Sequence, residues 1–303
     1  MLFRSLLYHG LGSGKTCSSI AITEGIKENK QIVVLTPASL RRNFYEELKK
    51  CGDFMYKKNQ YWEFIEATKE NTPTLSSVLN LPVEFINKYG GAWLVDKNKK
   101  NNYDLLNNDQ KILLDIQINQ MIKYKYQFIS YNGLRMTHLN GLNSSAPTNN
   151  FFDNKVIVID EAHNLVSRIV NKLGKVKNSD SISLKLYELL MSAENAKIIM
   201  LSGTPIINYP NEIGILFNIL RGYIKTWNLK LNINSERKIT YDYFISLFKS
   251  TILGGNVTDY ISYNANQTTL TITRNPFGFV NKTSKNKYEG VRLGDREIGR
   301  AHV

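Results

Sequence analysis

The chain has 303 residues, enough for one large domain or two modest ones, and 42% hydrophobic with 21% charged residues supports a packed core and excludes wholesale disorder. Two cysteines, Cys17 and Cys51, exclude a disulfide framework and every multi-thiolate metal cluster, and the four histidines form no zinc-site spacing. The formal charge of +13 suits a polyanionic partner, but 28 lysines against 11 arginines, with asparagine at about one residue in nine, are equally what an AT-rich coding sequence supplies.

In chain order, residues 5–8 (SLLY) read as a short buried strand that runs into HGLGSGKT, and 16–27 as a helix. Residues 31–35 (QIVVL) form a β-branched run closed by Thr36 and Pro37, a buried strand, and Ser39 is a candidate N-cap for a helix through Lys50. Residues 52–103, with Tyr61, Trp62 and Phe64 among polar loops, read as an insertion. A helix is expected over 103–125, a strand over 126–131 and a polar loop over 141–150. Strands follow at 155–160 (KVIVID) and 197–201 (KIIML), helices at 181–193 and 211–220. Beyond Tyr223 the pattern weakens to a helix near 239–248 and a strand near 268–273. The tail, taken as 291–303, lacks apolar rhythm and ends in EIGRAHV, which one frame of a common sequencing adapter would encode; it is expected to be non-native. The apolar runs 156–159 and 198–201 are too short to span a membrane, and the first ten residues are too short for a secretion signal, so a soluble intracellular protein is expected. Strands alternating with helices, and apolar on both faces, imply an α/β fold with a mostly parallel sheet covered on both sides.

His9, Gly10, Leu11, Gly12, Ser13, Gly14, Lys15 and Thr16 lie between a strand and a helix, the context of a phosphate-binding loop. Glycines let the backbone turn its N–H groups inward, and with the helix N-terminus they make an anion nest that extends to Cys17. Lys15 would reach the β and γ phosphates of a nucleotide, and the Thr16 hydroxyl would bind Mg²⁺. His9 stands where the general pattern has glycine. A chance glycine-rich turn is the bland alternative. Downstream, an apolar strand ends in Asp160-Glu161-Ala162-His163. Asp160 at the strand's carboxyl end would hold Mg²⁺, and Glu161 would orient and deprotonate the attacking water.

GSGKT, TPASL, DEAH and SGTP, in this order and each at a strand end, resemble the first RecA-like domain of superfamily 2 helicases and translocases. HGLGSGKT with DEAHNL and SGTPIINYPNEI is most similar to the Swi/Snf-like and viral members, among them helicases and early-transcription ATPases of large cytoplasmic DNA viruses. The resemblance covers about residues 5–222 and extends to LTITRNPFGF. It implies a RecA-like P-loop NTPase domain over 1–222, ATP and Mg²⁺ as cofactors, and DNA or RNA as partner. It carries a nucleic-acid backbone contact onto Thr36, Pro37, Ala38 and Ser39, against a capped helix with no ligand as the bland alternative, and a weaker one onto Ser130 and Tyr131, where a buried strand end is the favoured alternative. Arg41 and Arg42 follow as phosphate contacts or as a solvated surface. Ser202, Gly203 and Thr204 match the motif that couples hydrolysis to movement, and in such proteins these hydroxyls bond the histidine of DEAH, here His163.

A motor of this class needs two RecA-like domains, the second supplying arginine fingers. Residues 223–290 show no second domain with the arginine-rich final motif, and an adenine-reading segment does not precede His9. The expectation is a fragment, weakly active alone, of an ATP-driven translocase or helicase. A viral early transcription factor or transcription-termination ATPase, partnered by viral RNA polymerase and acting in the virion or host cytoplasm, is the second reading. A non-catalytic nucleotide-dependent interaction module is the third. A metabolic P-loop kinase has no use for TPASL or SGTP.

Overall fold

The structure is a computed structural model that describes residues 3–10, 12–173, 181–232, 239–249, 259–275, 279–284 and 287–293. The chain divides into two compact units, one of Phe3–Leu220 and one from Arg221 onward. In the first, the order is β1 (Phe3–Tyr8), α1 (Lys15–Ile26), β2 (Ile32–Thr36), α2 (Arg41–Cys51), β3 (Trp62–Glu66), α3 (Thr72–Leu79), α4 (Val83–Tyr89) and β4 (Gly91–Val95). Then come α5 (Asn108–Lys125), β5 (Tyr126–Ser130), α6 (Met136–Ser144), β6 (Val156–Ile159), α7 (Ala162–Val170), α8 (Ile182–Ser192), β7 (Lys197–Ser202) and α9 (Asn211–Arg221).

Five strands pair in parallel in the order β1-β7-β6-β2-β5. Alternation along each strand feeds two separate cores, because successive side chains point to opposite faces. Val33, Leu35, Ile157, Ile159, Ile198 and Met200 pack with residues of α6 to α9. Ile32, Val34, Val156, Val158, Ile199 and Leu201 pack with residues of α1, α2 and α5. A strand with only one apolar face could not serve both layers, which is why these segments read as continuous hydrophobic runs.

The structure corrects several sequence expectations. Ser39 is not the cap of α2: residues Ala38–Leu40 form a 3₁₀ turn, and the helix starts at Arg41 without a side-chain cap. The helix expected from residue 103 starts at Asn108, where Asn107 and Gln110 exchange side-chain-to-backbone bonds as a capping box. The first residues of the expected loop at 141–150 belong to α6, which runs to Ser144. The insertion at 52–103 holds the antiparallel pair β3–β4 with α3 and α4, and Trp62, Leu79, Ile86 and Ala92 are buried in the same core as α1 and α5. Its Gln117 partner explains the attachment: the α5 side chain accepts from Trp93 N–H and donates to Trp93 O, pairing β4 as a further strand would.

In the second unit β8 (Lys225–Lys230), β9 (Tyr260–Asn264) and β10 (Thr269–Arg274) form an antiparallel sheet in the order β8-β10-β9, and Phe244 of α10 (Tyr241–Lys249) joins Ile261 and Leu270 in a small core. β11 (Phe279–Ser284) and β12 (Lys287–Leu293) pair antiparallel. β12 thus takes up the first residues of the tail expected to be non-native, while 294–303 lie outside the described residues. No helix among the described residues is long and apolar enough to cross a membrane.

Candidate nucleotide site

The register of the parallel sheet brings the sequence motifs to one edge. Tyr8 pairs with Ser202, Leu35 with Ile159 and Thr36 with Ser130, and the Asp160 N–H donates to Leu35 O (2.8 Å). All four motif loops therefore leave the carboxyl ends of adjacent strands, where ligands of open α/β sheets bind.

The loop after β1 is an exposed turn that needs glycine twice. Gly12 and Gly14 have φ of +74° and +78°, a region where a side chain is strained. Gly14 caps α1 with no side-chain bond, so the helix's first N–H groups stay available to an anion. The Ser13 hydroxyl donates to Gly10 O (2.7 Å), closing the turn. The Lys15 ammonium donates to His9 O (3.0 Å) and Gly10 O (3.2 Å), which sets a cation at the mouth of the nest. Thr16 lies in the first turn of α1, and Leu11 lies outside the described residues. Cys17, placed by sequence at the end of the nest, is half-buried and disulfide-bonded to Cys51.

Opposite this loop, Asp160 is 7% exposed and held from two sides. Its Oδ2 accepts from the Thr36 hydroxyl (3.1 Å) and its Oδ1 from the Glu161 N–H (3.1 Å). Burial raises its pKa above the ordinary value, the Glu161 charge adds to this, and the Thr36 bond and the Lys15 charge oppose it. The Lys15 charge thus acts on Asp160. Glu161 adopts a left-handed backbone (φ 46°, ψ 53°), uncommon for a residue with a side chain and typical of strained functional turns. The Tyr131 hydroxyl holds the turn from below, donating to the carbonyls of Asp160 and Glu161 (3.2 Å each).

His163 links the acid pair to β7. Its Nδ1 lies 3.0 Å from Ser202 Oγ, 3.4 Å from Thr204 Oγ1 and 3.4 Å from Glu161 Oε2. Burial lowers its pKa below the ordinary histidine value against the pull of Glu161, so the ring is neutral at neutral pH. Gly203 sits against the phosphate loop: a Cβ there would meet Lys15 Nζ at 3.1 Å and His9 O at 3.3 Å. Gly203→Ala is expected to push the ammonium aside and weaken Mg·ATP binding about tenfold, with Tm changed by no more than a few degrees. Equal affinity in a titration would show that this approach is idle.

Two residues matched to nucleic-acid contacts have buried side chains. Thr36 is fully buried and spends its hydroxyl on Asp160, and Tyr131 is 4% exposed beneath the acidic turn. Both side chains therefore support the acid pair. Pro37 is buried as well, and Ser130 lies at the end of β5 with its hydroxyl buried and unpartnered. Ala38, Ser39, Arg41 and Arg42 are exposed, with the Arg41 guanidinium 5.6 Å from the Phe128 ring centroid.

Glu212 carries no role in the sequence reading, yet it is fully buried. Its Oε2 accepts from the N–H groups of Ile207 (2.7 Å) and Asn208 (3.2 Å), and Asn208 Nδ2 donates to Ser167 Oγ of α7 (2.7 Å). Burial would raise its pKa, but these bonds outweigh it and the carboxyl is held below its ordinary range. The loop after Ser202-Gly203-Thr204 is thereby tied to the helix that carries His163. From sequence, an acid in the first turn of α9 reads only as a favourable dipole partner. Glu212→Ala leaves buried N–H groups unpaired, at a cost of about 2–3 kcal/mol. The expected thermal shift is a Tm lower by roughly 5–10 °C, and an unchanged Tm would contradict it.

An exposed glycine turn with a lysine, beside a buried Asp160 and a half-buried Glu161 at one edge of an all-parallel sheet, defines a RecA-like P-loop domain of the helicase type. The family described as Type III restriction enzyme, res subunit matches residues 3–207, more than half of the chain, and the chain belongs to this family. It is 25% identical over 269 residues to a protein of Acanthamoeba polyphaga mimivirus named as an ATP-dependent RNA helicase, covering 85% of this chain and 37% of that protein. It is 27% identical over 249 residues to one of Invertebrate iridescent virus 3 named as a helicase, covering 77% and 20%. It is 23% identical over 219 residues to the termination factor NPH-I homolog of African swine fever virus, covering 72% and 22%. The chain thus spans between a fifth and two fifths of the length of these relatives.

Proposed function

We infer that this chain is the ATP-binding half of a motor that couples Mg·ATP hydrolysis to movement on DNA or RNA. The observation that supports this best is the meeting of Lys15, Asp160, His163 and Gly203 at one sheet edge, because it joins the phosphate site to the loop after β7. The residues fit the nucleotide: the positive-φ glycines and uncapped helix start suit phosphate oxygens, and the buried Asp160 carboxylate with the Thr16 hydroxyl suits a hard cation. Bound Mg·ATP would supply the scissile phosphoanhydride and the metal's charge. Lys15 would leave the His9 and Gly10 carbonyls for phosphate oxygens. Asp160, already aimed by Thr36, would hold the metal side, and Glu161 would orient the attacking water and take its proton. A neutral His163 would pass the state of Glu161 to Ser202 and Thr204, and Glu212 would carry it on to α7. Ser39 and Arg41, exposed above α2, would meet the nucleic-acid backbone.

Among the described residues none of those assigned to the phosphates is an arginine, so the isolated chain is expected to bind Mg·ATP weakly and hydrolyse it slowly. Titration with a fluorescent ATP analogue, and phosphate release with and without single- and double-stranded DNA and RNA, test this. Fast, nucleic-acid-stimulated turnover by this chain alone would contradict the weak-fragment reading. Absence of Mg·ATP binding would contradict the motor. A Glu161→Gln change is expected to keep binding and cut single-turnover hydrolysis about 10²- to 10⁴-fold; unaltered hydrolysis would favour a non-catalytic interaction module.

The likeness to the African swine fever virus protein favours a second reading, a transcription-termination ATPase. Co-purification of the parent protein with a viral RNA polymerase would distinguish it. For a parent of that kind, the place of action is the virion or the host cytoplasm.

A further inference from the structure

The sequence's two cysteines, 34 positions apart, lie together. Cys17 follows Thr16 in the first turn of α1, and Cys51 ends α2. Their Cα atoms are 5.4 Å apart and their sulfurs are joined. A pair beyond about 7 Å could not be bridged without moving backbone; this one needs no such movement. Both residues are half-buried, so a small reagent can reach them. Glu47, one turn before Cys51, has Oε2 3.4 Å from Cys17 Sγ and 3.8 Å from Cys51 Sγ, while its Oε1 accepts from Lys50 Nζ (2.9 Å). Structural zinc takes four ligands. Among the described residues the cluster offers three, one of them already paired with a lysine, so it suits a thiol pair better than a metal.

We propose that Cys17 and Cys51 form a reversible redox staple on the phosphate-loop helix. In the oxidised state the staple ties the turn that carries Lys15 and Thr16 to the end of α2. Reduction releases that turn. The oxidant is a small-molecule disulfide of the glutathione class. One cysteine thiolate attacks a sulfur of glutathione disulfide and expels one glutathione thiolate. The second cysteine then attacks the mixed disulfide and expels the other. Two protein thiols become one disulfide, one glutathione disulfide becomes two glutathione thiols, and these take up the two protons. The closed loop restricts the unfolded chain, so the oxidised protein is the more stable form. The cross-link does not depend on the nucleotide reading, since neither thiol counting nor melting needs ATP.

The test uses the full chain, equilibrated at several ratios of reduced to oxidised glutathione, acid-quenched, alkylated and digested with trypsin. Mass spectrometry is expected to find peptides 16–27 and 51–57 linked, in a fraction that rises with oxidised glutathione. The oxidised chain should melt about 5–10 °C above the reduced one. Cys51→Ser and, beside it, Cys51→Ala should abolish both the linked peptide and the difference in Tm between oxidising and reducing conditions. Free thiols at every ratio, equal melting of the two forms, or a reduced chain that takes up one Zn²⁺ and then resists oxidation would each overturn the proposal. The thiol readout on the unaltered chain holds even if a variant fails to fold.

Discussion

Asp160→Asn is expected to stop hydrolysis and, at the same time, to make the protein more resistant to heat. Asp160 is buried, and burial raises its pKa above 3.8, so the fold disfavours the ionised form. For an acid with a raised folded pKa, the native state binds more protons than the unfolded chain in the window between the ordinary and the raised value. Stability therefore falls as pH rises through that window, and at neutral pH the whole cost is present. Asparagine keeps the acceptor for Thr36, gives up the one for the Glu161 N–H, and carries no charge. The gain should be about 0.5–2 kcal/mol, typical of relieving a functional site, or a Tm higher by a few degrees at pH 7. It should shrink as the pH is lowered toward 3.8. Excess Mg·ATP should reverse the order, because only the carboxylate gains from a divalent cation. Melting curves across pH, with and without Mg·ATP, check this. A destabilised variant at pH 7 would mean that Asp160 serves structure before chemistry.

Lys15→Ala should have the opposite profile. Its bonds in this structure go to the carbonyls of His9 and Gly10 on an exposed loop, so its loss should shift Tm by less than a few degrees. For a triphosphate it would supply charge-assisted hydrogen bonds, each worth about 1.5–3 kcal/mol. Two of them correspond to a loss of about 10²- to 10⁴-fold in ATP affinity. Unchanged binding would remove the nucleotide assignment, and with it the roles given to Asp160 and Glu161. Together the two variants separate the site's halves: one loses the ligand and keeps its stability, the other loses turnover and gains stability.

Three central strands, β2, β6 and β7, were legible because each is built on a short run of Val, Ile, Leu or Met that no amphipathic helix would produce. The glycine pattern before Lys15 was legible because only glycine makes positive φ inexpensive, and Gly12 and Gly14 adopt it. Helix starts were less legible. Ser39 has the right chemistry for a cap, but the chain turns once as a 3₁₀ segment first, and Asn107 with Gln110 supplies a better cap than Tyr103 could. Thr36 and Tyr131 matched a surface motif by type, yet a hydroxyl at a strand end can face outward or across the sheet edge. Here both face the acidic turn.

The sequence alone determined the element types, the parallel α/β class and the placement of four motifs at strand ends, since these follow from local hydrophobic periodicity and backbone freedom. Only the tertiary structure decided the pairings that give the site its chemistry. Thr36 reaches Asp160 across 124 positions, His163 reaches Ser202 across 39, and Cys17 reaches Cys51 across 34. Strand order β1-β7-β6-β2-β5 sets those meetings, and it depends on how apolar faces from distant segments bury one another, a competition no local pattern records.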